Sequence, residues 1–204
     1  MQNSDIINLF QKSGGYLNST QLIKNKVHTS TIRKLLKTGK IEKIKRGLYR
    51  LAPDELPQHN YFTYDYFDAT IGVPAGIFCL TTALFYHNLT TTRPITFDMA
   101  IPPSHRNTKL NTVSLRLYRF NEPYYSLDIK KIKTNITVIK IYEKEKSICD
   151  AIRLRHIIGE DVAMESLNSY MRLKEKEINK LLQTAKICKV THIVEPAIKA
   201  MTGF

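Results

Sequence analysis

Apolar residues fall at helical spacing in the first twelve positions, where Ile6, Leu9 and Phe10 predict a helix over 5–12 capped by Ser4. Gly14-Gly15 ends it, and Tyr16-Leu17 reads as a short extended piece. A second helix opens at Ser19, with Leu22 and Ile23 expected inward and Asn25 near its end. In 29–37, stepping 100° per residue puts Ile32, Leu35 and Leu36 on one side. Ser30, Arg33, Lys34 and Lys37 fall on the other. Gly39 stands where a helix C-cap would. Two short alternating runs, 41–44 and 48–51, then flank Lys45-Arg46-Gly47 and predict a hairpin. Three short helices and a hairpin within 1–53 form the pattern of a winged helix-turn-helix.

Beyond residue 53 the pattern changes. Residues 52–60 carry two prolines, two acids and no Lys or Arg, and read as a linker. The aromatic cluster Tyr61, Phe62, Tyr64, Tyr66 and Phe67 is interleaved with Asp65 and Asp68, which favours a packed bridging helix over a base-stacking surface. Residues 77–89 read as a buried helix. Alternation predicts strands over 96–101, 112–120 and 136–142. Helical spacing then covers 147–158, stopped by Gly159, and 161–173 and 174–187. A last helical piece over 192–201 is expected to begin or kink at Pro196. The fold class expected is α+β: an N-terminal winged helix-turn-helix followed by a mixed α/β domain with a helical C-terminal half. The domains expected are 1–53, a linker and bridging helix over 54–68, and a C-terminal domain over 69–204.

Charge sharpens the division. Residues 1–53 hold 11 Lys and Arg against 2 Asp and Glu, so +9 of the chain's formal +13 sits in its first quarter. Such a concentration of cations points to a polyanionic partner, most often nucleic acid. The three cysteines, Cys79, Cys149 and Cys188, show no metal-binding spacing and read as small core residues of a reducing compartment. No leader-like segment precedes Ser4, and the uncharged stretch 69–92 is interrupted by Gly72, Pro74 and Gly76. Its sustained apolar part is too short to span a bilayer, so a cytoplasmic protein is expected.

The candidate chemistry is recognition. On the predicted recognition helix, Ser30, Thr31, Arg33, Lys34 and Lys37 are placed to face a major groove. From the hairpin, Lys43, Lys45, Arg46 and Arg50 are placed to meet phosphates or a minor groove. Catalytic signals are thin. Asp150 lies near Arg153, Arg155 and His156, where a surface salt bridge at i+3 is the commoner arrangement. Glu143-Lys144-Glu145-Lys146 follows a predicted strand and reads as an exposed connection. There is no HExxH, no glycine-rich phosphate loop and no GxSxG, so no catalytic, cofactor-binding or metal-binding residue is expected. A nuclease-like enzyme would have to draw its acids from Asp98, Glu143 and Asp150.

Taken together, three stretches resemble the AbiEi family of antitoxins from bacterial abortive-infection toxin–antitoxin systems. They are GGYLNSTQLIKNKVHTSTIRKLLKTGKIEKIKRGLYRL, then IFCLTTALFYHNL with FDMAIPPSHR, then VIKIYEKEKSICDAIRLRHIIGEDVAMESLNSYM. The resemblance implies an N-terminal domain that represses its own operon, with inverted-repeat operator DNA as partner. It also implies a C-terminal domain that neutralises a cognate AbiEii-like nucleotidyltransferase toxin, with no catalytic motif and no cofactor. The rival expectation is a plain winged-helix regulator whose C-terminal domain senses a ligand or dimerises.

Overall fold

The computed structural model describes residues 3–56 and 63–202. The chain divides into two compact units. The first is residues 1–74 with segments 108–114 and 133–139; the second is 75–107, 115–132 and 140–204. The expected boundary falls after residue 53, and residues 63–74 group with the first unit. The helix expected to bridge belongs with the first unit, as α4 below. Tyr61 and Phe62 of the aromatic cluster lie outside the described residues, as do residues 57–60 of the expected linker.

In the first unit, α1 (Asn3–Lys12) buries Ile6 and Phe10. The chain leaves it through Gly14 and Gly15, both at positive φ, with the Gly15 N–H donating to the Phe10 carbonyl at 2.8 Å. Glycine is required at 15 twice over: φ is +89°, and a Cβ would stand 2.4 Å from Leu56 Cδ2. Strand β1 (Tyr16–Asn18) pairs antiparallel with β3 (Leu48–Leu51), which pairs with β2 (Ile41–Lys45), giving the order β1-β3-β2.

Asn18 caps α2 (Ser19–Lys24) through a reciprocal box with Gln21: each side chain accepts from the other's backbone N–H, at 2.9 and 2.8 Å. Of the two residues expected inward here, Leu22 is fully buried but Ile23 is 72% exposed. A helix this short has room for one inward position per turn. A turn then leads into α3 (Thr29–Lys37), and α4 (Tyr64–Gly72) completes the unit. Ile6, Phe10, Leu17, Leu22, Leu35, Ile41, Leu51 and Leu56 share one core. Each contributes roughly 1.5–3 kcal/mol of burial.

Most residues of a five-stranded sheet of order β6-β5-β4-β8-β7 belong to the second unit. Its strands are β4 (Ile77–Phe78), β5 (Phe97–Ile101), β6 (Leu115–Arg119), β7 (Ile129–Lys133) and β8 (Val138–Tyr142). Pairing is antiparallel for β4–β5 and parallel for β5–β6 and β4–β8. The expected helix over 77–89 is corrected: its first residues are β4, and only α5 (Leu80–Tyr86) is helical. The exposed edge strand β7 has no counterpart among the strands expected from alternation.

The helical half comprises α6 (Lys144–Arg153), α7 (Arg155–Ile158), α8 (Glu160–Met171), α9 (Ile178–Ile187) and α10 (Thr191–Thr202). The expected helix over 147–158 is therefore two helices, broken at Leu154, with Gly159 at φ +98° after them. Pro196 sits inside α10 and does not begin it. Helix α6 packs against α5, α8 and α9 and is central to a core that includes Leu84, Ile148, Ile152, Leu167, Leu181 and Val194.

Central position accounts for two departures from expectation. Residues 145–152 of α6 are all buried, Glu145, Lys146 and Asp150 among them. The Asp150 carboxylate accepts from Lys146 Nζ and, at 2.8 Å, from Arg153 Nη2. The Lys146 ammonium lies 4.3 Å from the Tyr142 ring centroid and 5.2 Å from that of Phe120. Asp150–Arg153 is thus one arm of a buried triad and not a surface pair. Nor is 143–146 an exposed connection: Glu145 accepts from Tyr170 Oη at 2.7 Å, and Lys180 Nζ lies 3.3 Å from it.

Candidate nucleic-acid interface

The amphipathic face of α3 decides its orientation. Leu35 is buried, and Ile32 and Leu36 are half-buried against the first unit's core. That burial leaves Ser30, Arg33, Lys34 and Lys37 exposed on the opposite side, with Thr31 half-buried at the margin. Gly39, at φ +67° with nothing within 4 Å of its would-be Cβ, turns the chain sharply toward β2.

The β2–β3 hairpin is held from two directions. The Ser19 N–H donates to the Gly47 carbonyl at 2.8 Å, tying the turn to the start of α2. Lys45 Nζ donates to the Gly72 carbonyl at 2.7 Å, tying the end of β2 to the end of α4. Lys43 and Arg46 remain exposed on the hairpin. Lys24, Lys26 and Lys40 are also exposed cations of this unit. No helix or hairpin pattern marks them in the sequence, because they lie at helix ends and in turns.

Arg50 departs from expectation. It is only 5% exposed, and its guanidinium donates from Nη1 to Asp68 Oδ2 at 2.8 Å and from Nη2 to Glu42. Tyr16 Oη donates to the other Asp68 oxygen at 2.7 Å. Burial opposes the charge on Arg50, but the carboxylates of Asp68 and Glu42 outweigh it and hold its pKa above the ordinary value. Burial likewise raises Asp68, with Arg50 and Tyr16 opposing, and raises the Tyr16 hydroxyl. Arg50 is therefore a structural cation behind the sheet, and Lys45 is partly so. A sequence that places a cation in a strand does not say which face it takes when a carboxylate waits 18 residues on.

In the second unit, the three acids weighed for a nuclease each have their own partners. Asp98 faces Tyr118 Oη at 3.3 Å and Arg116 at 4.0 Å, Glu143 pairs with Lys180, and Asp150 sits in the triad. Burial raises Asp98, with Arg116 and Tyr118 opposing. Among the described residues no group of three His, Cys, Asp or Glu is arranged to hold a metal ion. A cleft of about 460 Å³ is lined by His87, four lysines and four glutamates, with Lys180 bridging Glu143 and Glu145. No helix among the described residues is long and apolar enough to cross a membrane.

No curated protein sequence matches the chain. Among solved structures it is similar to the RV2827C protein from Mycobacterium tuberculosis, with a TM-score of 0.63 at 12% identity, over 95% of this chain and 76% of that one. At that identity the likeness is one of fold. The sequence match lies in the N-terminal quarter: residues 4–52 match the family model described as transcriptional regulator, AbiEi antitoxin.

Proposed function

We propose that this protein is a DNA-binding antitoxin. In this reading it represses its own operon through the first unit, and residues 69–204 neutralise a cognate nucleotidyltransferase toxin. The observation that carries the reading is the exposed cationic face of α3, opposed by its buried apolar face inside the segment that matches the AbiEi regulator family.

Ser30, Arg33, Lys34 and Lys37, with Thr31 at the margin, meet base edges and phosphates of a major groove. Lys43 and Arg46 reach the flanking backbone. Arg50 leaves the contact set, and Lys45 contributes only by releasing Gly72. The protein acts by binding and not by catalysis, works in the cytoplasm, and reads inverted repeats upstream of its operon.

Co-expression with the toxin encoded beside it tests both halves. The full chain should rescue growth. The full-length variant Arg33→Ala with Lys37→Ala should still rescue but lose repression of a reporter driven by the operon's promoter. Failure of the full chain to rescue would remove the antitoxin half. Confinement of the family match to residues 4–52 favours, as a second reading, a plain winged-helix regulator with an unrelated C-terminal role. That reading predicts repression without rescue.

A further inference from the structure

Strand β2 is an outer strand of the first unit's sheet, and its pairing with β3 skips Ile44, so a bulge lies between Lys43 and Lys45. Asn111 fills that break. Its N–H donates to the Ile44 carbonyl at 2.8 Å and its Nδ2 to the Lys43 carbonyl at 3.0 Å. One residue earlier, Leu110 is buried against Gly72, where a Cβ would stand 2.6 Å from Leu110 Cδ2. The Gly72 carbonyl is also the acceptor that holds Lys45 Nζ. Asn111 and Leu110 come from segment 108–114, which belongs to the first unit although the chain on either side of it belongs to the second.

The order of these contacts gives the segment a direction. Thr112 shares a cleft with Ile41, Glu42 and Arg50. Asn111 meets Lys43 and Ile44, and Leu110 sits at the anchor of Lys45. From 112 back to 110 the segment therefore follows β2 from its start towards its turn. The next residue is Lys109, which falls on the side of the Arg46-Gly47 turn. Leu110 is buried, and Lys109 beside it is exposed.

We propose that segment 108–114 is a strap that completes the DNA-binding surface, with Lys109 as a further contact to the duplex backbone beside Arg46. The proposal rests on the DNA-binding reading above and extends it to a residue outside the segment 4–52 that matches the regulator family. A backbone contact needs a cation held at a fixed place on the surface, and it carries no sequence information of its own. Lys109 meets that need: the two residues after it are fastened to the wing by a buried side chain and two hydrogen bonds. A lysine ammonium is a point charge without the planar fork that reads a base edge, so its partner is a phosphate.

The test follows the anisotropy of a labelled duplex carrying the operon's promoter as salt is raised, with full-length protein throughout. Lys109→Ala should weaken binding and reduce the slope of log affinity against log salt by about 0.9, the share of one phosphate. The loss should be equal on a scrambled duplex, because the contact reads no base. Lys109→Arg should keep the slope. So should Lys174→Ala, which removes an exposed cation of the second unit. An unchanged slope for Lys109→Ala, beside a reduced one for Arg33→Ala with Lys37→Ala, would overturn the strap contact and leave the DNA reading standing. An equal fall for Lys174→Ala would overturn it too, by showing a diffuse effect of net charge. A flat salt response of the unchanged protein would remove the DNA reading, and the strap contact with it.

Discussion

Arg50 and Asp68 form a buried ion pair at 2.8 Å that joins β3 to α4 within the first unit. Neither side chain has water to turn to, since both are at most 6% exposed. Removing one partner strands the other, which costs about 3 kcal/mol or more. Asp68→Ala and Arg50→Ala should each destabilise the first unit by that order, read as a lower urea midpoint. Arg33→Ala, on the exposed face of α3, should change stability by about 0.5 kcal/mol or less.

Under the proposed function, the same contrast separates a structural cation from a DNA-contacting one. Arg33→Ala with Lys37→Ala should weaken operator binding and reduce the slope of log affinity against log salt by about 1.8, at roughly 0.9 for each phosphate left without its cation. Affinity alone does not classify Arg50→Ala, because unfolding also weakens binding. Its slope, measured by anisotropy at a temperature where the variant is folded, should equal that of the unchanged protein. A reduced slope for Arg50→Ala would return it to the DNA-binding set.

Glu165 on α8 accepts from Thr90 Oγ1 at 2.6 Å and from the Thr91 N–H and Oγ1, both at 2.9 Å. These donors hold its pKa below the ordinary glutamate value. A depressed carboxylate contributes stability above its unfolded pKa and loses that contribution as pH falls through the folded one. Amide exchange at Thr91 should therefore be protected at neutral pH and lose protection, after correction for the intrinsic rate, in acid below the ordinary glutamate range. Glu165→Ala should abolish the protection at every pH.

In the α6 triad, Lys146→Ala leaves Asp150 buried with Arg153 as its remaining cation, and should destabilise the second unit by about 3 kcal/mol. Lys146→Met keeps apolar packing against the Tyr142 and Phe120 rings and should cost less than Lys146→Ala, as read by thermal unfolding.

What the sequence made legible was set by local physics. The faces of α3 follow from its 3.6-residue period alone and can be read directly; β5 lies within a stretch expected as an alternating strand, but it is a central strand buried at all five positions, Asp98 included. Strand β4 was hidden because two apolar residues leading into an apolar helix carry no period of their own. Strand β7, Ile-Lys-Lys-Ile-Lys, was hidden because an edge strand is held by its neighbour's backbone and wears cations that mimic a loop. In α6 the error ran the other way. Glu145, Lys146 and Asp150 look like a solvated surface. Lys146 and Arg153 of the same helix neutralise Asp150, but the Phe120 ring over Lys146 and the Tyr170 and Lys180 partners of Glu145 have no local sequence relation to them. The same long-range dependence holds Arg50 in the interior, since Asp68 has no local sequence relation to it.

Under the proposed function, the bond between the Ser19 N–H and the Gly47 carbonyl bears on how DNA is chosen. A hairpin that swings free must be immobilised when it meets a duplex, and that loss of entropy is subtracted from affinity. Here the turn is fastened to α2 within the protein itself, so under the proposed function Arg46 and the helix-turn-helix would approach a duplex as one preorganised surface. Accommodation then falls to the operator. Sites whose groove width already suits this fixed jaw will bind best, and sequence preference will include base pairs that no side chain touches.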